Sequence, residues 1–324
     1  MKHATGWLIG LVAVILIATL GWFNRYNIYD WYRLHDYTPP TAIIQLANQT
    51  TMTPYARKLF YVYHPIIEGS AAFNQDCQVT AQAIVLGCTA INKGIWLYNV
   101  QTPQLNGVEQ VTAAHEMLHV AYSRLSSSKL KYINNLVMAT YNKLAPNDPL
   151  LRSEYQSYLK TEGAGAVPNE LHSVLGTEIS KLPSALETYY AQYFTNRQAI
   201  VNYANSYEGA FTQRQAQVQK DDQQLSTWQK EISSDEQTLQ TEDQQIQAQS
   251  AQLNQERSSG QTNAYNSGVP AYNQAVDSYN TLIGQTKQLI DQYNTLVASR
   301  NSIAVSEDKL IQSISSLPSS ISSQ

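Results

Sequence analysis

The chain is short of charge, cysteine and phenylalanine. Asp, Glu, Lys and Arg make up 14% of its 324 residues, against about 25% in a typical soluble domain. Glutamine fills much of the gap, with 33 copies. There is no basic excess, because 21 Lys and Arg face 25 Asp and Glu for a net charge of −4. General nucleic-acid binding is therefore not expected, since neutralising phosphates takes surplus cations. Two cysteines exclude a disulfide-dense miniprotein and any four-cysteine zinc module. Only 5 Phe accompany 22 Tyr, and no proline falls between Pro183 and Pro270. The composition is strongly segmented, and each segment implies something different.

Residues 6–23 contain no charge and lie between Lys2 and Arg25, with Trp7 and Trp22 near the two ends. A helix needs roughly 17–25 apolar residues to cross a bilayer core of about 30 Å, and indoles favour the interface. No clean A-x-A site follows, Ala18-Thr19-Leu20 being a poor one. This predicts an uncleaved signal anchor, a transmembrane helix over residues 1–24, followed by a juxtamembrane linker over 25–52. It implies a single-pass protein of the cell membrane with the bulk of the chain extracytoplasmic. In an exported domain Cys77 and Cys88, eleven positions apart, can form a local disulfide. Two unrelated buried thiols are the competing reading.

Residues 53–207 read as a globular α+β domain. The β-branched and aromatic runs at 57–64, 83–87 and 94–100 predict short strands. From Gly107 the apolar period turns helical, with Val108, Val111, Ala114, Leu118, Ala121 and Leu125 at threes and fours.

That helix carries His115, Glu116, Met117, Leu118 and His119, an H-E-x-x-H pattern. Residues four apart share a helix face, so both imidazoles can reach one Zn²⁺. Glu116 beside them can take a proton from a metal-bound water as general base. The flanking residues are small or apolar, as a buried catalytic helix requires. Such short motifs also arise by chance, as two histidines in a structural seam.

At these residues the sequence resembles the zincin metalloprotease superfamily. The metzincin branch continues the motif with a Gly and a third His, but Tyr122 and Leu125 occupy those places here. The gluzincin branch takes a Glu from a later helix in an N-E-x-x-S/A context, and this chain has Asn169-Glu170-Leu171-His172-Ser173. The resemblance implies Glu170 as third zinc ligand, with Glu178 as the alternative. Val174 stands where some members have an Asp that supports a ligand His, so that partner is left unassigned. Glu178 and His172 are candidates for supporting a ligand or stabilising an oxyanion, alongside Tyr155, Tyr158, Tyr189 and Tyr190. Glu162, ahead of a Gly-Ala-Gly turn, reads as a solvated helix end. The stretch from about Pro65 to Arg197 also resembles uncharacterised membrane-anchored bacterial proteins with an H-E-x-x-H helix.

Beyond Tyr207 the chain becomes heptad-like. Phe211, Val218, Leu225, Ile232, Leu239, Ile246 and Leu253 are seven apart, as are Leu282, Leu289, Leu296, Ile303 and Leu310. An antiparallel coiled-coil hairpin is predicted over 208–318, with its turn near 258–270 and a disordered tail at 319–324. It reads as a spacer or a self-association or partner-binding arm, or else as a lid. Taken together, the sequence leads to a membrane-anchored zinc metallopeptidase acting on peptide or protein substrates. The alternative is a non-catalytic, envelope-associated coiled-coil scaffold with a structural or vestigial zinc site.

Overall fold

The computed structural model describes residues 15, 18–77 and 84–316. It divides into two compact units, one of Met1–Ala210 with Leu310–Gln324 and one of Phe211–Lys309.

The first unit opens with helices α1 (Arg25–Leu34), α2 (Thr41–Gln49) and α3 (Pro54–Val62), then strand β1 (Ile66–Glu68) and α4 (Ser70–Cys77). Strands β2 (Gly87–Ala90) and β3 (Gly94–Tyr98) follow, then α5 (Val108–Ser123), α6 (Ser127–Leu144), α7 (Pro149–Thr161), α8 (Val167–Thr177) and α9 (Ser184–Tyr190). The strands form one sheet in the order β1-β3-β2, with β1 parallel and β2 antiparallel to β3. The core lies between α5 and its neighbours. Val111, Ala114, Met117 and Leu118 of α5 meet Ile43 and Leu46 of α2, Leu59 and Phe60 of α3, Ile95 and Leu97 of β3, and Leu171 and Leu175 of α8.

The expected α+β class is corrected here. Among the described residues 78% are helical, with a single three-stranded mixed sheet. The run at 57–64 is the main reason, because most of it lies in α3 rather than in a strand. Thr53 caps α3 by accepting a hydrogen bond from Ala56 N, and Pro54 opens it. Ala56, Leu59, Phe60 and Val62 then face the core at helical spacing. Start signals and burial outweigh the strand preference of the valine and aromatics. Residue 83 of the run at 83–87 lies outside the described residues, and of 84–87 only Gly87 enters β2, whereas 94–100 does contain β3.

The transmembrane helix and signal anchor are corrected too. Among the described residues no helix is long and apolar enough to cross a membrane. Residues 1–14, 16 and 17 of the expected span lie outside the described residues. Residues 18–23 are helical, and α1, which follows at once, carries Arg25, Asp30 and Arg33. Single-pass anchoring in the cell membrane, and the extracytoplasmic placement built on it, are left without support. The stretch 25–52, expected as a linker, contains α1 and α2, and buried Asp30 accepts hydrogen bonds from Arg124 at 2.7 and 3.0 Å.

Residues 77 and 88 are joined as a Cys77–Cys88 disulfide. The second unit is a hairpin formed by the parts of α10 (Arg197–Ser258) and α11 (Thr262–Ile314) that lie within Phe211–Lys309. Within it Thr286 bonds Asp235 at 2.9 Å, Arg300 bonds Asp222 at 3.0 Å and Gln215 bonds Glu307 at 3.0 Å. Positions rise along one arm as they fall along the other, which makes the arms antiparallel. The turn is shorter than expected and occupies residues 259–261, with Pro270 inside α11.

Candidate metal centre

Helix α5 is buried along most of its length, and His115 and His119 lie one turn apart on the same face. Their rings meet edge to face with centroids 4.7 Å apart. From α8, Glu170 Oε2 comes within 3.4 Å of His115 Nε2 and 3.5 Å of His119 Nε2. The three ligand atoms all lie within 4.8 Å of one another. His115, His119 and Glu170 form a group that could hold a metal ion. Ligand atoms bound at about 2.0–2.1 Å in a tetrahedron stand roughly 3.3–3.4 Å apart, so the two N···O separations fit a shared ion of that kind.

Close helix packing brings Glu170 there. Gly176 of α8 faces α5, and a Cβ on it would stand 2.5 Å from Leu118 Cδ1 and 2.9 Å from Tyr190 Cε1. Tyr190 donates its hydroxyl to the carbonyl of His172 at 2.6 Å. Buried Arg197 grips the residues after α8, donating to the carbonyl of Ile179 at 2.6 Å while pairing with Glu187 at 2.6 Å. Ser173, next on the same helix, places its hydroxyl 3.4 Å from His119 Nδ1. Ser173 is thus the side chain that the structure sets at His119 Nδ1, where the sequence left a supporting partner unassigned.

Glu116 points toward the sheet. Thr89 of β2 donates its hydroxyl to Glu116 Oε2 at 2.8 Å. Burial pushes the Glu116 carboxyl up to about 7, against the opposing pull of His119 and the Thr89 hydrogen bond. Glu170 moves the other way. Burial raises it, but the hydrogen bond from His115 and the charges of His119 and His115 outweigh burial and hold it below the usual range. Two adjacent carboxylates are thereby set to opposite protonation tendencies. Glu162 is the exposed C-cap of α7, the solvated helix end that was expected, and its carboxyl, partly desolvated where it hydrogen-bonds Glu170, is raised to about 7.

The remaining candidates are elsewhere. His172 is fully buried with Nε2 2.9 Å from the Tyr189 hydroxyl, and burial holds its pKa down to about 3. It is a neutral packing residue of α8, the same helix that carries Glu170. Tyr189 and Tyr190 are committed to His172, and Tyr155 stacks on Tyr141. Glu178 is not in the ligand group. It hydrogen-bonds Glu154 and lines a cavity of about 400 Å³ with Glu154, Glu208 and Asp148. Burial and the carboxylates of Glu154 and Glu208 raise Glu178 well above the ordinary range.

The sequence reading missed Thr89, Gly87 and Ser173. Only Ser173 left a trace, as the last residue of the N-E-x-x-S pattern. Comparison of the chain with family models, curated proteins and solved structures finds no match.

Proposed function

We propose that this chain is a zinc-dependent metallopeptidase of gluzincin-like type, with His115, His119 and Glu170 as metal ligands and Glu116 as general base. The observation that carries the reading is Glu116. A structural metal site needs only ligands and usually fills four positions, whereas here three candidate ligands adjoin a buried, hydrogen-bonded carboxylate that is none of them. Zinc, when bound, lowers the pKa of a coordinated water to about 7 and polarises a substrate carbonyl.

The chain's own residues have separable tasks. Glu116, raised to about 7 by burial, is suited to accept a proton near neutrality and to return it to the leaving amine nitrogen. Its Oε2 is held by Thr89, which orients the carboxylate. Ser173 beside His119 Nδ1 supports one imidazole. The alternative, a scaffold with a structural or vestigial site, draws on the long hairpin but gives Glu116 no task.

Metal analysis and peptide cleavage test the reading together. Purified chain is loaded with zinc, dialysed, analysed for bound metal, and incubated with an unfolded protein substrate before and after chelation. One zinc per chain, with cleavage lost to chelator and regained on adding zinc, is expected. Failure to retain zinc, or cleavage indifferent to its removal, refutes it.

A further inference from the structure

Strand β2 touches the candidate base at two of its four positions. Thr89 Oγ1 lies 2.8 Å from Glu116 Oε2 and 3.2 Å from the Glu116 backbone carbonyl, so one hydroxyl spans both side chain and helix backbone. Gly87 leaves room for the rest of the carboxylate. A Cβ there would stand 2.8 Å from Glu116 Oε1, 2.9 Å from Glu116 Cγ and 2.5 Å from Thr112 Cγ2. Between these two residues is Cys88, bonded to Cys77 at the end of α4.

The strand's other support is limited. It is the outer strand of the sheet as described, paired only with β3. A four-residue edge strand held on one side is a locally weak element. The disulfide is a covalent tie at the position between its two contacts with Glu116. His115, His119 and Glu170 belong to α5 and α8, which the disulfide does not join.

We propose that β2 is the positioning element for Glu116, with Thr89 as a positioning residue and the Cys77–Cys88 bond fastening the strand, so that reducing the bond detunes the base while the metal ligands stay in place. The inference rests on the reading of Glu116 as general base. Reduction breaks one S–S bond and adds two electrons and two protons, giving thiols at Cys77 and Cys88. A dithiol supplies both and closes to its own disulfide.

The test uses the full zinc-loaded chain as wild type, Thr89→Val, Thr89→Ser, Cys77→Ala/Cys88→Ala and Glu116→Gln. Readouts are zinc content, kcat and KM on one peptide, and hydrogen exchange at β2. Thr89→Val is expected to lower kcat by about 10–100-fold, part of the ~10²–10⁴ that general base catalysis contributes. Its KM and zinc content should hold, and Thr89→Ser should recover most of the rate. The double cysteine variant should lower kcat by about tenfold with zinc kept and speed exchange in β2 but not in α5 or α8. Wild-type kcat in Thr89→Val overturns the role of Thr89, as does a Thr89→Ser no better than the valine or loss of zinc from either variant. Unchanged kcat and exchange in the cysteine variant overturn the fastening role. A zinc-loaded wild type that does not cleave, or a fully active Glu116→Gln, overturns the reading of the base itself and the positioning role with it.

Discussion

His115 and Glu170 belong to different helices, yet their Nε2 and Oε2 atoms are 3.4 Å apart. His119 Nε2 is 3.5 Å from the same oxygen. One carboxylate oxygen thus serves both imidazoles. Glu178, one residue past the end of α8, is instead among other carboxylates. Glu170→Ala should therefore weaken zinc binding by more than the ~10–100-fold typical of supporting residues, and Glu178→Ala should leave it near wild type. Competition with a chromogenic chelator measures both, and the reverse order would reassign the ligand.

Gly176 sets the separation of α5 and α8. Gly176→Ala would drive a methyl group toward Leu118 Cδ1, 2.5 Å away, and Tyr190 Cε1, 2.9 Å away. Overpacking of this kind costs about 1–3 kcal/mol. Thermal unfolding and zinc titration of the variant should show lower stability and weaker metal affinity together, because the same displacement moves Glu170. Lower stability with intact affinity would uncouple the packing from the centre.

Asp30 is buried and accepts hydrogen bonds from Arg124, while Lys58 Nζ lies 2.9 Å away. Asp30→Ala leaves the Arg124 guanidinium, only 8% exposed, without its counter-charge. Breaking a buried pair from one side costs about 3–5 kcal/mol. Denaturant unfolding should register a loss of that order, and a change below about 1 kcal/mol, the value of a surface pair, would mean that α1 contributes little to the unit.

The carboxyl group around Glu178 gives a pH signature. Burial raises Glu154 and Glu208 to about 7, and raises Glu178 well above its usual range. These acids keep their protons in the folded state after the unfolded chain, near 4.5, has released them. The folded state then binds more protons, so their contribution to stability declines as pH rises from about 4.5 to about 7. Melting temperatures across that range should fall, and Glu178→Gln should flatten the slope. An unchanged slope in the variant would exclude Glu178 as its source.

The legible parts of this chain are those governed by local periodicity. Helix α5 follows from its apolar spacing, and the His115–His119 pairing from the four-residue step. The hairpin follows from its seven-residue seams. The misread parts depend on context. Aromatic and branched residues in α3 suggested a strand, but Thr53, Pro54 and the buried face at Ala56, Leu59, Phe60 and Val62 make a helix. Gly268 and Pro270 suggested a turn, but both lie inside α11, with Gly268 close against Leu253 of α10. The uncharged N-terminal run suggested a membrane span, yet no described helix has the length and apolarity for one. Thr89 and Gly87 were invisible as site residues, since their meeting with Glu116 depends on how the sheet packs on α5.

The central claim is that Glu116 acts on a metal-activated water without holding the metal. Its direct test is the zinc content and peptide-cleavage rate of wild type and Glu116→Gln, measured side by side. The account predicts one zinc per chain in both, and a rate at least about 10²-fold lower in the variant. Equal cleavage rates in the two zinc-loaded proteins, or loss of zinc from the variant, would contradict it.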